Sequence, residues 1–309
     1  MFFLNSPDVR PAEVFTRMPE KYRKPDVQTD WARANRGGQR TDSFLEGPVW
    51  SPNGFLYVTD IPHGRVFRIA RSGEWELVVE YGGEPNGMKL FDDSHLLITD
   101  YRNGLMLLDI EHGEVRPYLE RRNTERFRGV NDLTFDSAGN LYFTDQGQTG
   151  LHDPTGRVYR LSPEGRLDML LGNCPSPNGL VLSPDEKVLY VAMTRGNCVW
   201  RVPLQADGSV SKVGQFFTSY GPSGPDGLTI DTQGRLLVAN PGLGRAWVLN
   251  HHAEPVVVLT SPEGASLTNL CFGDTDMKTL FMTESVSGSV LVARMDVAGV
   301  LPKQARPRI

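Results

Sequence analysis

Beyond residue 46 the apolar positions come in short runs separated by turn-forming residues. No stretch longer than about ten residues there repeats its apolar positions at the 3.6-residue period of an amphipathic helix. The runs are rich in Val, Leu, Phe, Tyr and Trp, which suit a pleated surface, and the breaks carry Gly, Pro, Asn and Asp, which adopt tight turns. In the first unit a run at 47–50 leads through a turn at 51–54 to a run at 55–59. A turn around Pro62-His63-Gly64, a run at 65–69, a turn at Gly73 and a run at 75–80 complete it. The same order returns at 133–135, 141–144, 157–161 and 167–171. Each unit therefore predicts four short strands.

Every unit opens on an oxygen-bearing side chain: Glu46, Asn86, Asn131, Asn178, Asp226 and Asn269, about 40 to 48 residues apart. Four-stranded units repeated at that period predict an all-β fold, a six-bladed β-propeller of four-stranded antiparallel blades around a central channel. Radial repetition leaves few free sheet edges except where the ring closes. The last unit shows only three runs, at 270–272, 279–282 and 289–294. Its outermost strand is therefore expected from an N-terminal extension, residues 1–45, with 46–309 forming the propeller. Within the extension, 13–22 reads as a short helix ahead of Pro25, and 35–38 as a loop. The insertion 120–128 and the loop 146–156 fall beside unit boundaries, where a propeller carries its face loops.

In such a ring the first strand of each blade lines the channel, so the six openings converge near one mouth. Asn, Asp and Glu are poor strand formers and costly to bury without partners. A single Asn-Gly or Asp-Gly pair marks an ordinary turn, but recurrence at one position of every unit calls for a shared partner. Carboxylates and amides are oxygen ligands, which suit Ca²⁺ or Mg²⁺ better than zinc, whose preference is for His and Cys. Ca²⁺, which accepts about six to eight oxygens in loose geometry, is the expected ion of a metal-binding channel, with Mg²⁺, Mn²⁺ or Zn²⁺ as alternatives. Asn86 and Asn269 read as channel wall. A second row about 14 residues further on, Asp60, Asp100, Asp145, Asn240 and Glu284, reads as turn-holding.

Composition narrows the function classes. A net charge of −5 over 309 residues, with scattered arginines, argues against a nucleic-acid partner or an anionic membrane surface. No apolar run approaches the ~20 residues that span a bilayer, and the N-terminus lacks the basic start of a signal peptide. Three cysteines without metal-site spacing fit a reducing, cytoplasmic location. The expected state is a monomer or a homodimer. There is no GxSxG elbow, HExxH helix or phosphate-binding P-loop, and Asp274-Thr275-Asp276 lacks the glycine and glutamate of a calcium-binding EF-hand loop.

The motifs Glu46-Gly47-Pro48 with a following Trp, Asn131-Asp132, Ser176-Pro177-Asn178-Gly179-Leu180 and Pro225-Asp226-Gly227-Leu228 resemble, in this order, those of the senescence-marker-protein/gluconolactonase family. Its members are calcium-dependent, luciferin-regenerating-enzyme-like lactonases with a six-bladed propeller, and the resemblance spans residues 46–295. It implies that Glu46, Asn178 and Asp226 are direct metal ligands and that Asn131 binds metal or substrate. Sugar-lactone members carry an Arg two residues before that Asn; this chain has Gly129 there, with Arg128 one position earlier. Asn131-Asp132-Leu133-Thr134 and the Thr144-Asp145 echo are more similar to the bacterial branch that takes other lactones. Trp31-Ala32-x-Ala34-Asn35-Arg36-Gly37-Gly38 is also similar to that branch.

These features imply a metal-dependent hydrolase that opens a small-molecule lactone, the cation polarising the carbonyl and Asp226 acting as general base on water. His63, Tyr101, Arg102, Gln146 and Arg195, all just beyond a second strand, are the expected substrate-positioning residues beside Asn131. Two other readings remain open. One is phosphotriester or aryl-ester hydrolysis at the same metal site, as in the more distantly similar diisopropyl fluorophosphatase and paraoxonases. The other is a non-catalytic binding propeller with a structural ion.

Overall fold

The structure is a computed structural model and describes residues 5–305. Six sheets stand around one axis as a six-bladed β-propeller. Their innermost strands are Leu45–Trp50, Pro85–Leu90, Val130–Phe135, Pro177–Leu182, Leu228–Ile230 and Leu267–Gly273. Successive strands of each blade pair antiparallel from the axis outward, as the run-and-turn pattern predicts.

Blade faces stack on one another, so the inner strands of each blade are buried on both sides, while outer strands such as Glu114–Leu119 stay largely exposed. In Phe55–Asp60, Leu56 and Val58 point into the cluster shared with blade six, while Tyr57 between them points into the cluster shared with blade two. That geometry explains why the runs are continuously apolar rather than alternating. Each remaining pair of neighbouring blades shares its own cluster, such as Leu97, Leu107, Phe143 and Tyr159 between blades two and three. At about 25 cal/mol per Å² of apolar surface, this repeated face-to-face burial is the main force holding the ring.

Ring closure uses the N-terminal segment twice. Glu13–Arg17 is the outermost strand of blade six, antiparallel to Ser289–Arg294 with Val14 opposite Leu291. Asp8–Pro11 adds a fifth strand to blade five, parallel to Pro255–Thr260. The helix expected over 13–22 is therefore replaced by a strand and a single 3-10 turn, Glu20–Tyr22. The open edge of blade six offers unpaired backbone groups, and the side chains fit it. Phe15 meets Phe281 edge-on at 5.4 Å, and Thr16 Oγ1 accepts from Trp75 Nε1 and donates to Gly73 O.

A one-and-a-half-turn helix, Asp30–Asn35, forms instead further along the extension. Thr29 caps it, its Oγ1 accepting from Ala32 N at 3.2 Å. Trp31 and Ala32 bury against Ile61 and Phe44 of blade one, which seats the helix over one mouth of the channel. At the opposite end the chain after Arg294 crosses the axis, with Val300 N bonded to Ile230 O and Ala305 N to Phe91 O. No helix among the described residues is long and apolar enough to cross a membrane.

Candidate functional site

The innermost strands share a local irregularity that aims side chains into the channel. Between Pro85 and Met88, Val130 and Leu133, and Pro177 and Leu180, three steps on the inner strand oppose two on its neighbour. These are β-bulges, and they kink the strand where Asn86, Asn131 and Asn178 stand. Blade one has a comparable shift after Glu46, and in blade five Asp226 N bonds to Ala239 O just before the inner strand begins.

The register corrects the sixth position. Leu267 lies opposite Glu284 and Leu270 opposite Met282, as Val130 and Leu133 lie opposite Asp145 and Phe143. Thr268 therefore occupies the place of Asn131, and Asn269 that of Asp132. A second row of side chains ties the blades together. Thr59, Thr99 and Thr144 donate to the carbonyls of Asn86, Asn131 and Asn178 on the next blade at 2.8, 2.5 and 2.8 Å, and Thr194 donates to Pro225 O at 2.7 Å.

Glu46, Asn86, Asn131, Asn178 and Asp226 line one open-mouthed cavity of about 410 Å³ under the N-terminal helix. Glu46 is 3% exposed, yet its carboxylate is in no ion pair among the described residues; Oε2 accepts from Gly47 N and from Asn269 Nδ2, both at 2.7 Å. Asn131 Nδ2 donates to Gln146 Oε1 at 3.0 Å, and Gln146 Nε2 donates to Ser176 Oγ at 2.9 Å. With its amide nitrogen so engaged, Asn131 has its oxygen left for the channel.

Burial pushes the Glu46 carboxyl up to about 7, and the charge of Asp132 adds to the effect. Asp226 is raised well above the usual carboxylate range, by burial first and then by Glu46 and Asp132, with Arg195 working in the opposite direction. Asp132, buried with its Oδ1 3.9 Å from Lys89 Nζ, is raised by burial as well. Three carboxylates thus share the channel at a mutual electrostatic cost that a cation would relieve. The described residues contain no group of three or more His, Cys, Asp or Glu side chains spaced to hold a metal ion. An ion here would draw on Glu46 and Asp226 together with the amides of Asn131 and Asn178, an oxygen-only set that fits Ca²⁺.

Of the expected substrate-side residues, Tyr101, Gln146 and Arg195 line the cavity. His63 and Arg102 do not. His63 is buried in the wall with Nε2 3.1 Å from Thr41 O, its basicity lowered mainly by burial, and Arg102 turns outward to Asp30 at 3.2 Å. Gly129 has φ +151°, and a Cβ there would lie 2.5 Å from the Tyr101 ring. Tyr101 therefore packs where a side chain at 129 would project, and Arg128 points away to Thr155.

The second row, Asp60, Asp100, Asp145, Asn240 and Glu284, is fully buried and binds loops. Asp100, for example, accepts from Glu84 N, Arg102 N and Asn103 N. Sequence reasoning did not assign Asp132, Thr268, Trp31 or Arg36 to the site. Asp132 carried a signal, since its unit has Asp where four others have Gly47, Gly87, Gly179 and Gly227.

Comparison with known proteins places the chain in a family. Residues 44–286 match the model of the SMP-30/Gluconolactonase/LRE-like region. A gluconolactonase of Zymomonas mobilis is 31% identical over 274 residues, covering 78% of this chain and 76% of that protein. Lactonase drp35 of Staphylococcus aureus is 31% identical over 232 residues, covering 71% of this chain and 70% of that protein. The crystal structure of a calcium-binding protein, regucalcin, from Agrobacterium tumefaciens superposes with a TM-score of 0.75 over 96% of this chain and 99% of that one. At 22% identity that likeness is one of fold.

Proposed function

Since this chain belongs to the SMP-30/gluconolactonase/LRE-like family, we propose that it is a lactonase whose channel carboxylates and amides bind Ca²⁺ and open a lactone ring. The observation that carries the reading is the pairing of Glu46 and Asp226 in one cavity, both with raised carboxyl basicity and neither in an ion pair among the described residues. Glu46, Asn131, Asn178 and Asp226 would hold the ion. When bound it supplies positive charge against the lactone carbonyl oxygen as that oxygen becomes an oxyanion.

The chain's own groups do the rest. Asp226, partly exposed to the cavity, accepts the proton of the attacking water. Water adds to the carbonyl carbon, the ring C–O bond breaks, and the ring oxygen leaves as a hydroxyl after taking up a proton, giving a hydroxy acid. The Gln146–Ser176 chain fixes Asn131, and Tyr101 bounds the cavity beside it. Trp31 and the helix that carries it roof the site and limit bulk water.

A substrate panel tests the bond chosen. Aliphatic lactones, aryl esters and a phosphotriester are compared by kcat/KM in the presence of Ca²⁺. The reading expects lactones to exceed the other two classes by at least about tenfold, and a phosphotriester or aryl-ester preference overturns it.

A further inference from the structure

Two arginines overlook the cavity, and neither is in an ion pair among the described residues, although Arg195 is near enough to Asp226 to oppose the rise in its carboxyl basicity. Arg36 follows the helix Asp30–Asn35, with its N–H bonded to Ala32 O and its guanidinium 5.9 Å from the Phe44 ring centre. Arg195 sits in the 3-10 turn Thr194–Gly196, whose backbone is pinned by Thr194 N to Ser176 O and Thr194 Oγ1 to Pro225 O. Both side chains line the cavity that holds Glu46 and Asp226. Neither guanidinium forms a salt bridge or donates a hydrogen bond among the described residues.

Their neighbours behave differently. Arg33 pairs with Asp30, Arg40 with Asp26, Arg65 with Asp60 and Arg102 with Asp30. Arginine is the side chain best shaped to grip carboxylate or phosphate in a forked pair of hydrogen bonds. Once a divalent cation occupies Glu46 and Asp226, the carboxylates lining the cavity are matched, and the two guanidinium charges stand uncompensated beside Trp31 and Phe44. An anionic group entering there is attracted, whereas a neutral polyol leaves both charges unpaired. A neighbouring cleft bounded by Gln148 and His152 shares Asn35, Gln146, Ser176 and Arg195 with the cavity, which leaves room beside Arg195 for a substituent outside the reacting ring.

We infer that Arg36 in the roof and Arg195 in the wall of the cavity form an anion-recognition subsite, and that the substrate is a lactone bearing a carboxylate or phosphate substituent outside its ring. This rests on the lactonase reading and adds the substrate class to it. The product of such a carboxylated lactone is a hydroxy-dicarboxylate.

The test compares three γ-butyrolactones substituted at the γ-carbon with carboxylate, with hydroxymethyl, and with the hydroxymethyl phosphate ester. With Ca²⁺ present, one of the two anionic compounds is expected to exceed the neutral one in kcat/KM by about tenfold or more, mostly through KM. Whichever anion leads identifies the source. In Arg36→Gln and Arg195→Gln that preference ratio falls about tenfold, and Arg195→Lys recovers part of it. Equal losses on neutral and anionic lactones overturn the inference, because loss of a charge beside Asp226 alone would give that pattern. If no lactone is opened, the lactonase reading fails, and calorimetry with 2-hydroxyglutarate, the opened carboxylate product, still decides the subsite. Binding that disappears in the double Gln variant supports it; absent or unchanged binding overturns it.

Discussion

Asn269 Nδ2 donates to Glu46 Oε2 at 2.7 Å, a bond that joins the last blade of the ring to the first inside the channel. Gly47 N takes the same oxygen, so the two donors orient the carboxylate and hold its basicity below what burial alone would give. Removing the amide takes away one charge-assisted hydrogen bond of about 1.5–3 kcal/mol. Asn269→Leu is therefore expected to weaken Ca²⁺ binding by about tenfold or more, read by calorimetry. Unchanged affinity would show that Asn269 serves only the channel wall.

The raised carboxyls predict an unusual pH dependence for the cation-free protein. Glu46 has an ordinary value of 4.5 and stands at about 7 when folded, so between these limits the folded state holds more protons than the unfolded one. Stability then falls as pH rises through this window, opposite to the usual carboxylate case. Asp226 is shifted in the same direction. Thermal melts in chelator should show Tm declining from about pH 4.5 to 7, and saturating Ca²⁺ should flatten or reverse the slope. A Tm that rises across this window without the cation would contradict the shifts.

Much of this architecture was legible in the chain, for a physical reason. Stacked blades bury both faces of the inner strands, and the resulting apolar runs repeat with the ring, so the strands and the six units stand out. What does not repeat was hidden. Glu13–Arg17 looks helical in isolation and becomes a strand because blade six presents an open edge to it. Asn269 matches the other unit openings in type, but the spacing to Leu270 moves it one register place deeper and leaves Thr268 at the ring. His63 follows a second strand just as Tyr101 does, yet the Thr41 carbonyl from the non-repeating extension captures it. The Trp31–Arg36 roof belongs to that same extension, beyond the reach of any period.

Asp60 and Arg65 form a fully buried pair, with Arg65 Nη2 and Nε on Asp60 Oδ2 at 2.6 and 2.8 Å. Asp60 Oδ1 also accepts from Phe44 N, which holds the segment leading to Glu46. Arg65→Leu leaves the carboxylate unpaired and is expected to cost about 3–5 kcal/mol in denaturant unfolding. A cost below about 1 kcal/mol would show that the pair is not needed.

Removing residues 1–17 strips the outer strand from blade six and the parallel strand from blade five. The truncated protein should melt lower and associate as concentration rises, since it exposes two sheet edges and the apolar surface under Phe15. Unchanged Tm together with a concentration-independent size by light scattering would contradict the closure role.

The most direct measurement is acid release from a lactone followed with a pH indicator, with chelator and then with Ca²⁺ restored. The account predicts turnover that vanishes with chelator and returns with Ca²⁺ in the unaltered protein. Asp226→Asn should stay at least about a thousandfold lower throughout while its melting remains cooperative. Full turnover in chelator, or an Asp226→Asn protein as active as the original, would contradict it.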